Sequence, residues 1–487
     1  MIRFLLVVLL ALYAALPPPA HGAATPIPAE QALRDLRILK RGLTELHPGV
    51  YRYISPLQLD AEFERANATV ANGTDRATMF LLASRIAATV RCGHTWTNPL
   101  NQSDALQQDL FTRADKLPLT LRLVAGRFLI TGSTVDDLNA GDELVAIDGR
   151  AASAIVDALM PYLRADGSSD GKRLAQIDSG TSGGVMDRLF PLLYPPADGR
   201  YRLQVRRQGR MHMLDVEAVN LALRTQRLAA AGYGEPGEDW SFDINGDVAM
   251  LALPTFAFWR ASFDWQAFLA KRFDRLSERK VPYLVIDLRR NEGGDSAVGK
   301  GLLAYLLHKP YVEPSYRAES AYQRVPYALA RYLDTWNFDF FDRTGQVRKG
   351  PGRNWVLTPQ TAPTTIAPAT KLYAGKTIVL VGPGNSSAGY LLARDLKSSR
   401  AALLIGRTTG GNLRGLNGGE LAWLTLPASG VAVDIPLLAS MFDGQPDMGV
   451  TPDRQVPQIF TAEAAGSDPT MSAAHDQIAR WRAQASR

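Results

Sequence analysis

A single cysteine, Cys92, stands in 487 residues, which excludes an internal disulfide and any paired-cysteine zinc or redox motif. Histidine is almost as scarce, at six, so chemistry that needs an imidazole has few places to look. Charge of one sign is also missing. The 54 Lys and Arg exceed the 48 Asp and Glu by only six, too thin a surplus for a basic stripe, and this argues against a nucleic-acid partner. No internal repeat is visible, and beyond the first residues no apolar run is long enough to span a bilayer. What is present is an ordinary globular composition, 46% hydrophobic and 21% charged. At about 150 residues per domain the length implies roughly three domains.

The chain opens with Arg3 and an apolar run from Phe4 to Leu16. Pro17 to Pro19 follow, then small residues at Ala20, Gly22, Ala23 and Ala24. This pattern predicts a secretory signal peptide over residues 1–24, cut after Gly22 or Ala24. The apolar run is shorter than the ~20 residues of a membrane-spanning helix. No cysteine follows it to carry a lipid, so an exported protein without a stable membrane anchor, periplasmic or secreted, is expected. Sequons at Asn67, Asn72, Asn101 and Asn385 read as chance matches, and a bacterial periplasm fits them best.

Residues 25–112 carry apolar side chains at helical spacing (Leu33, Leu36, Leu39, Leu43, Leu46, then Phe80 to Ile86) and end at Arg91-Cys92-Gly93-His94-Thr95. Residues 113–222 alternate and turn like short strands. Their phrase Ala140-Gly-Asp-Glu-Leu-Val-Ala-Ile-Asp-Gly-Arg150 resembles that of PDZ domains, which add a peptide C-terminus to a sheet edge. An insertion near 164–199 interrupts the likeness, and a plain β-hairpin module remains the alternative. Over 236–460, continuous apolar runs (Val248–Leu253, Tyr283–Leu288, Thr377–Val381, Ala402–Ile405) alternate with helical patterns, which predicts a mainly parallel sheet buried on both faces. Within it, 312–375 reads as an irregular insertion or lid. A short amphipathic tail, 461–487, closes the chain.

Three phrases carry residues suited to chemistry. Asn291-Glu292-Gly293-Gly294 follows a buried strand, and its paired glycines allow either an outward-turned N–H for an oxyanion or merely a tight turn. Gly382-Pro-Gly-Asn-Ser386-Ser387-Ala388-Gly389 sets a serine at a helix N-terminus, as a nucleophile or as a simple cap. Gly93-His94-Thr95 offers an imidazole, catalytic or buried. Gly180-Thr-Ser182-Gly-Gly184 matches the G-x-S-x-G elbow, but the residues before it are not an apolar strand, so it reads as a loop. Cys92 beside His94 lacks further spaced ligands for a metal and reads as a small buried hydrophobe.

In order and spacing these phrases, with Gly406-Arg-Thr-Thr-Gly-Gly411 and Gly449-Val-Thr-Pro-Asp453, resemble the tail-specific, or C-terminal processing, serine peptidases, including their tricorn-like branch. The resemblance implies a multidomain α+β protein: a helical N-terminal module, a PDZ-like β module and a ClpP/crotonase-type α/β catalytic core. It makes Ser387 the nucleophile and gives Gly294 and Ala388 the oxyanion hole. Many members activate the serine with a lysine after the Thr-x-Gly turn; here that position is Asn412, which cannot serve as a base. A serine hydroxyl needs one. Among the histidines, His21 falls in the leader, His212 in the sheet module, His308 after a core helix and His475 in the tail, while His47 precedes Pro48. His94 remains, where the tricorn-like branch also carries its histidine. In that branch an acidic residue near the closing phrase orients the imidazole, which points to Asp447 with Asp443 as fallback. A serine precedes the histidine there; Gly93 does here. The expectation is therefore an exported serine endopeptidase acting on polypeptides, by way of their C-termini where the PDZ-like module presents them, with no metal or organic cofactor. The alternatives are an inactive peptide-binding protein on the same scaffold and a hydrolase of non-peptide esters or amides.

Overall fold

The computed structural model describes residues 26–486 except 181–182, 235–236, 238, 260–261, 351 and 359–362. The expected leader, His21 and Ser182 therefore lie outside the described residues. Three helices, Ala29–Leu46, Pro56–Thr69 and Arg76–Thr89, form the lead. Pro56 follows Ser55, whose hydroxyl accepts from Gln58 N–H while Gln58 returns a bond to Ser55 N–H, so the second helix starts with a full capping box. Leu36, Leu39, Leu43 and Leu46 lie on one face of the first helix and are buried.

A six-stranded antiparallel sheet follows, built from Leu119–Val124, Arg127–Ser133, Glu143–Ile147, Arg150–Ala151, Arg200–Arg207 and Arg210–Glu217. The helix Ala152–Leu159 comes directly after Asp148-Gly149 has turned the chain. This sheet and the lead helices share one apolar core, and Ala422 to Leu437 from the far end of the chain belong to it too. The hairpin Leu421–Thr425/Ala432–Pro436 is tied to the first helix by Asp35, whose buried carboxylate accepts from Ala428 N–H, Ser429 N–H and Ser429 Oγ.

The remaining sheet orders Arg454–Gln455, Leu403–Gly406, Lys376–Val381, Tyr283–Asp287, Val248–Ala252 and Ser241–Asn245, parallel except for the last pair. Helices Trp265–Glu278, Ser296–Leu306 and Ser387–Ser399 contribute to the core on one face. The tail helix Pro469–Ala485 covers the other with Ala473, Ala474, Ile478 and Trp481. The alternating runs thus become a sheet buried on both sides, as parallel crossover connections require. The 312–375 stretch is not free of the body: its strands Arg317–Ser320, Val347–Lys349 and Trp355–Leu357 join Ala439–Met441 in a small sheet. The result is a mixed α/β protein of several sheets. No helix among the described residues is long and apolar enough to cross a membrane.

Candidate active site

Ser387 opens the helix that follows the strand Lys376–Val381, and it does so with φ +48°, a conformation that side-chain-bearing residues rarely adopt. Strain of this kind persists only where the surroundings impose it. Here they do. Asn385, fully buried, receives Gly382 N–H on its side-chain oxygen and donates its amide to the carbonyls of Leu288 and Asn291. Its own carbonyl accepts from Gly410 and Gly411 N–H, so the Gly406–Gly411 phrase is stitched to the serine loop. Asn291, also buried, donates to Leu253 O and accepts from Gly293 N–H at 2.8 Å each. The capping role open to the serines is not used: Ser386 makes no cap bond, and its hydroxyl donates to Glu292 O at 3.0 Å. Ser387 is half-buried and its hydroxyl has no hydrogen bond among the described residues.

The glycine pair explains itself at this point. Gly293 has φ +115°, and a Cβ there would lie 2.8 Å from Ser387 Cβ and 2.9 Å from Ala388 N. Only a bare backbone leaves that approach open. Gly294, at φ +132°, bridges Phe256, and neither its N–H nor that of Ala388 has a hydrogen-bond partner among the described residues. Ala388 N–H, beside the free Ser387 hydroxyl, is thus unengaged, as is Gly294 N–H in the turn that Gly293 presses against it.

His94 lies on a separate turn, linked to this loop through Arg164, Glu292 and Lys172. Its segment is held by distant chain: Trp96 O accepts from Asp434 N–H, and a Cβ on Gly418 would lie 2.6 Å from His94 Nε2. Gly93 N–H donates to Asp166 Oδ1 at 2.8 Å. The ring is half-buried; its Nδ1 is buried and unpartnered. Burial lowers the His94 pKa, with Asp166 pushing it back up and Arg164 and Lys172 down, so the imidazole is neutral near pH 7. His47 is excluded as a rival, since its Nδ1 accepts from Gly49 N–H and its Nε2 therefore donates to Thr95 Oγ1. Burial takes its pKa down to about 3. His212, His308 and His475 are exposed on other elements.

Two cations join the halves. Arg164 donates to Gly93 O and pairs with Glu292 at 3.2 Å, its guanidinium 3.7 Å from the Trp96 ring centre. Lys172, 3% exposed, donates to Glu292 Oε1 (2.6 Å) and to Gly384 O (3.2 Å). The chain of contacts runs from the residue before His94 to the loop of Ser387. Burial pushes the Lys172 ammonium below its usual range, and Glu292 opposes this. Neither cation was singled out by the sequence. Both lie in the 164–199 insertion, whose only signal was that it broke the PDZ-like pattern.

Asp447 accepts from Ser168 N–H (3.0 Å), Ser168 Oγ (2.9 Å) and Asn412 Nδ2 (2.6 Å), and makes no hydrogen bond to His94 among the described residues. Asn412, at the expected lysine position, is fully buried and serves as that donor. Asp443 pairs with Arg317 instead. Cys92, His94 and Asp166 each place a potential ligand atom within 4.8 Å of the others. Burial raises the Cys92 thiol pKa, however, which opposes the thiolate a metal would need.

Residues 247–456 match the family model described as Peptidase family S41. Among solved structures, mature CPAF is 16% identical with a TM-score of 0.58, over 90% of this chain and 94% of that one. Mature CPAF complexed with lactacystin is 17% identical with a TM-score of 0.60, over 94% and 98%. The photosystem II D1 C-terminal processing protease is 15% identical with a TM-score of 0.41, over 88% and 93%. No curated protein matches the sequence. The likeness to CPAF is one of fold, and the matched segment 247–456 holds both Ser387 and the Gly293-Gly294 turn; over that segment the chain is similar to Peptidase family S41.

Proposed function

We propose that the protein is an exported serine endopeptidase in which Ser387 attacks a peptide carbonyl and His94 takes its proton. The N–H groups of Gly294 and Ala388 hold the tetrahedral oxyanion. His94 then returns the proton to the leaving amine, and water hydrolyses the acyl-enzyme. The observation that carries this reading is the strained serine at φ +48°, its hydroxyl unengaged, beside a glycine turn that leaves Ala388 N–H open. A neutral imidazole at neutral pH suits a general base. Residues 1–24 support export. The antiparallel sheet module, read as PDZ-like, would present polypeptide C-termini to the site.

A second reading follows from Lys172, a buried amine near the Ser387 loop with a depressed pKa. Its pairing with Glu292 favours the charged form, which cannot accept a proton, and this places His94 ahead. Fluorophosphonate labelling tests both. Labelling lost in Ser387→Ala and slowed by orders of magnitude in His94→Ala, with Lys172→Met still reactive, is the expected pattern. Undiminished labelling in His94→Ala with none in Lys172→Met transfers the role to the lysine. Absence of labelling in the wild type identifies a binding protein, and turnover of small esters but not of unfolded protein identifies a non-peptide hydrolase.

A further inference from the structure

We infer that Asp166 is the carboxylate that positions the His94 imidazole, entering from the sheet module's insertion into the space left by the missing side chain of Gly93. The inference rests on His94 as the base. Asp166 is 1% exposed. Its Oδ1 accepts from Gly93 N–H at 2.8 Å, but its Oδ2 is buried with no partner. The neighbouring His94 Nδ1 is likewise buried and unpartnered. A ring nitrogen of His94 and an oxygen of Asp166 lie no more than 4.8 Å apart. One atom is an acceptor and the other, in the Nδ1–H tautomer, a donor. A buried polar group left unsatisfied keeps the full cost of its desolvation. A small ring rotation that joins them satisfies both, and catalytic bonds are often long before substrate arrives.

Gly93 supplies the independent observation. A Cβ on that residue would lie 2.7 Å from Asp166 Oδ2 and 3.2 Å from its Cγ, so no side chain fits there while the carboxylate stays. Where the tricorn-like branch puts a serine before its histidine, this chain puts a glycine and fills the gap with a residue 73 positions away. Asp447 acts one step further out: it fixes Ser168 and Asn412, and Asn412 donates to Asp166 O at 3.4 Å. With Nδ1–H given to Asp166, the Nε2 lone pair is the one left to take the serine proton. Asp166 is thus a positioning residue.

The charged groups facing His94 are Asp166 and Glu292, which raise its pKa, and Arg164 and Lys172, which lower it; His47 and the Cys92 thiol are uncharged neighbours. The test is the fluorophosphonate labelling rate of Ser387 against pH. Asp166→Asn keeps the acceptor for Gly93 N–H. It is expected to slow labelling by about 10²–10⁴-fold and to move the acidic limb to lower pH, because a carboxylate that raised the imidazole pKa has gone. His94→Ala run alongside separates failures: labelling unaffected by its loss removes the base itself, whereas labelling lost in His94→Ala but unchanged in rate and limb in Asp166→Asn overturns only this inference. A limb that moves in Asp447→Asn and not in Asp166→Asn overturns it in favour of Asp447. Should Asp166→Asn not fold, ¹⁵N-histidine NMR of the wild type decides. A His94 Nδ1–H tautomer is expected, and an Nε2–H tautomer overturns the assignment.

Discussion

The serine loop and the histidine turn are built by opposite means. The serine side is local to one sheet: two neighbouring strand-to-helix turns of its paired parallel strands, locked by Asn291 and Asn385 and by the glycines that let backbone meet backbone. The histidine side is a meeting point. Arg164 and Asp166 from the sheet module, Gly418 and Asp434 from the far end of the chain, and the lead helices all converge on one short turn. Paired neighbouring strands place the serine through the register of one sheet. A base seated at a junction depends on every segment that reaches it.

That difference can be broken at either end. Of the glycine changes, the larger effect is expected for Gly293→Ala, which adds a Cβ at φ +115° against Ser387 and Ala388 N. Labelling should fall by about 10²–10³-fold, the order seen when an oxyanion donor is lost, while the rest of the sheet stays folded by circular dichroism. Gly418→Ala comes next. Its Cβ, 2.6 Å from Nε2, must displace the imidazole, and a misplacement of that size costs about 10²-fold in labelling rate. If labelling holds, the junction is more forgiving than the sheet and the contrast weakens.

Asp434 sharpens the comparison through pH. Burial raises its pKa from 3.8 to about 6, with Asn101 and Asn98 donors pulling the other way. Below about pH 4 it is protonated folded and unfolded alike. Between about 4 and 6 only the unfolded form ionises, so the protein loses stability as pH rises, by about 3 kcal/mol. Melting curves of Asp434→Asn should be flatter across that window than those of the wild type. The smallest effect is expected for Lys172→Met, which leaves Gly384 O without its donor and costs about 1 kcal/mol of stability in urea titrations.

The serine side was largely legible in the sequence, because its signals are local. The helical patterns between its apolar runs stand as the helices Trp265–Glu278, Ser296–Leu306 and Ser387–Ser399. The resemblance points to Ser387, and in the structure it is the Ser386 hydroxyl that donates to Glu292 O. The histidine side was legible only as far as His94. Nothing in the spacing of Asp166, Lys172 or Gly418 marks them, since their meaning lies in contacts across more than 70 residues. The insertion that interrupted a recognisable pattern turned out to hold the charges that bind the two halves. Asn412, noted for not being a lysine, is a fixed amide donor whose partner was not readable in advance.

The hairpin 421–436, docked by Asp35 into the opening helices, sets an order of events during synthesis. A ribosome delivers the first module long before the strands that complete its core, so the seat of the imidazole stays unfinished until more than four-fifths of the polypeptide has emerged. The opening helices therefore complete their core only when the strands Leu421–Thr425 and Ala432–Pro436 arrive.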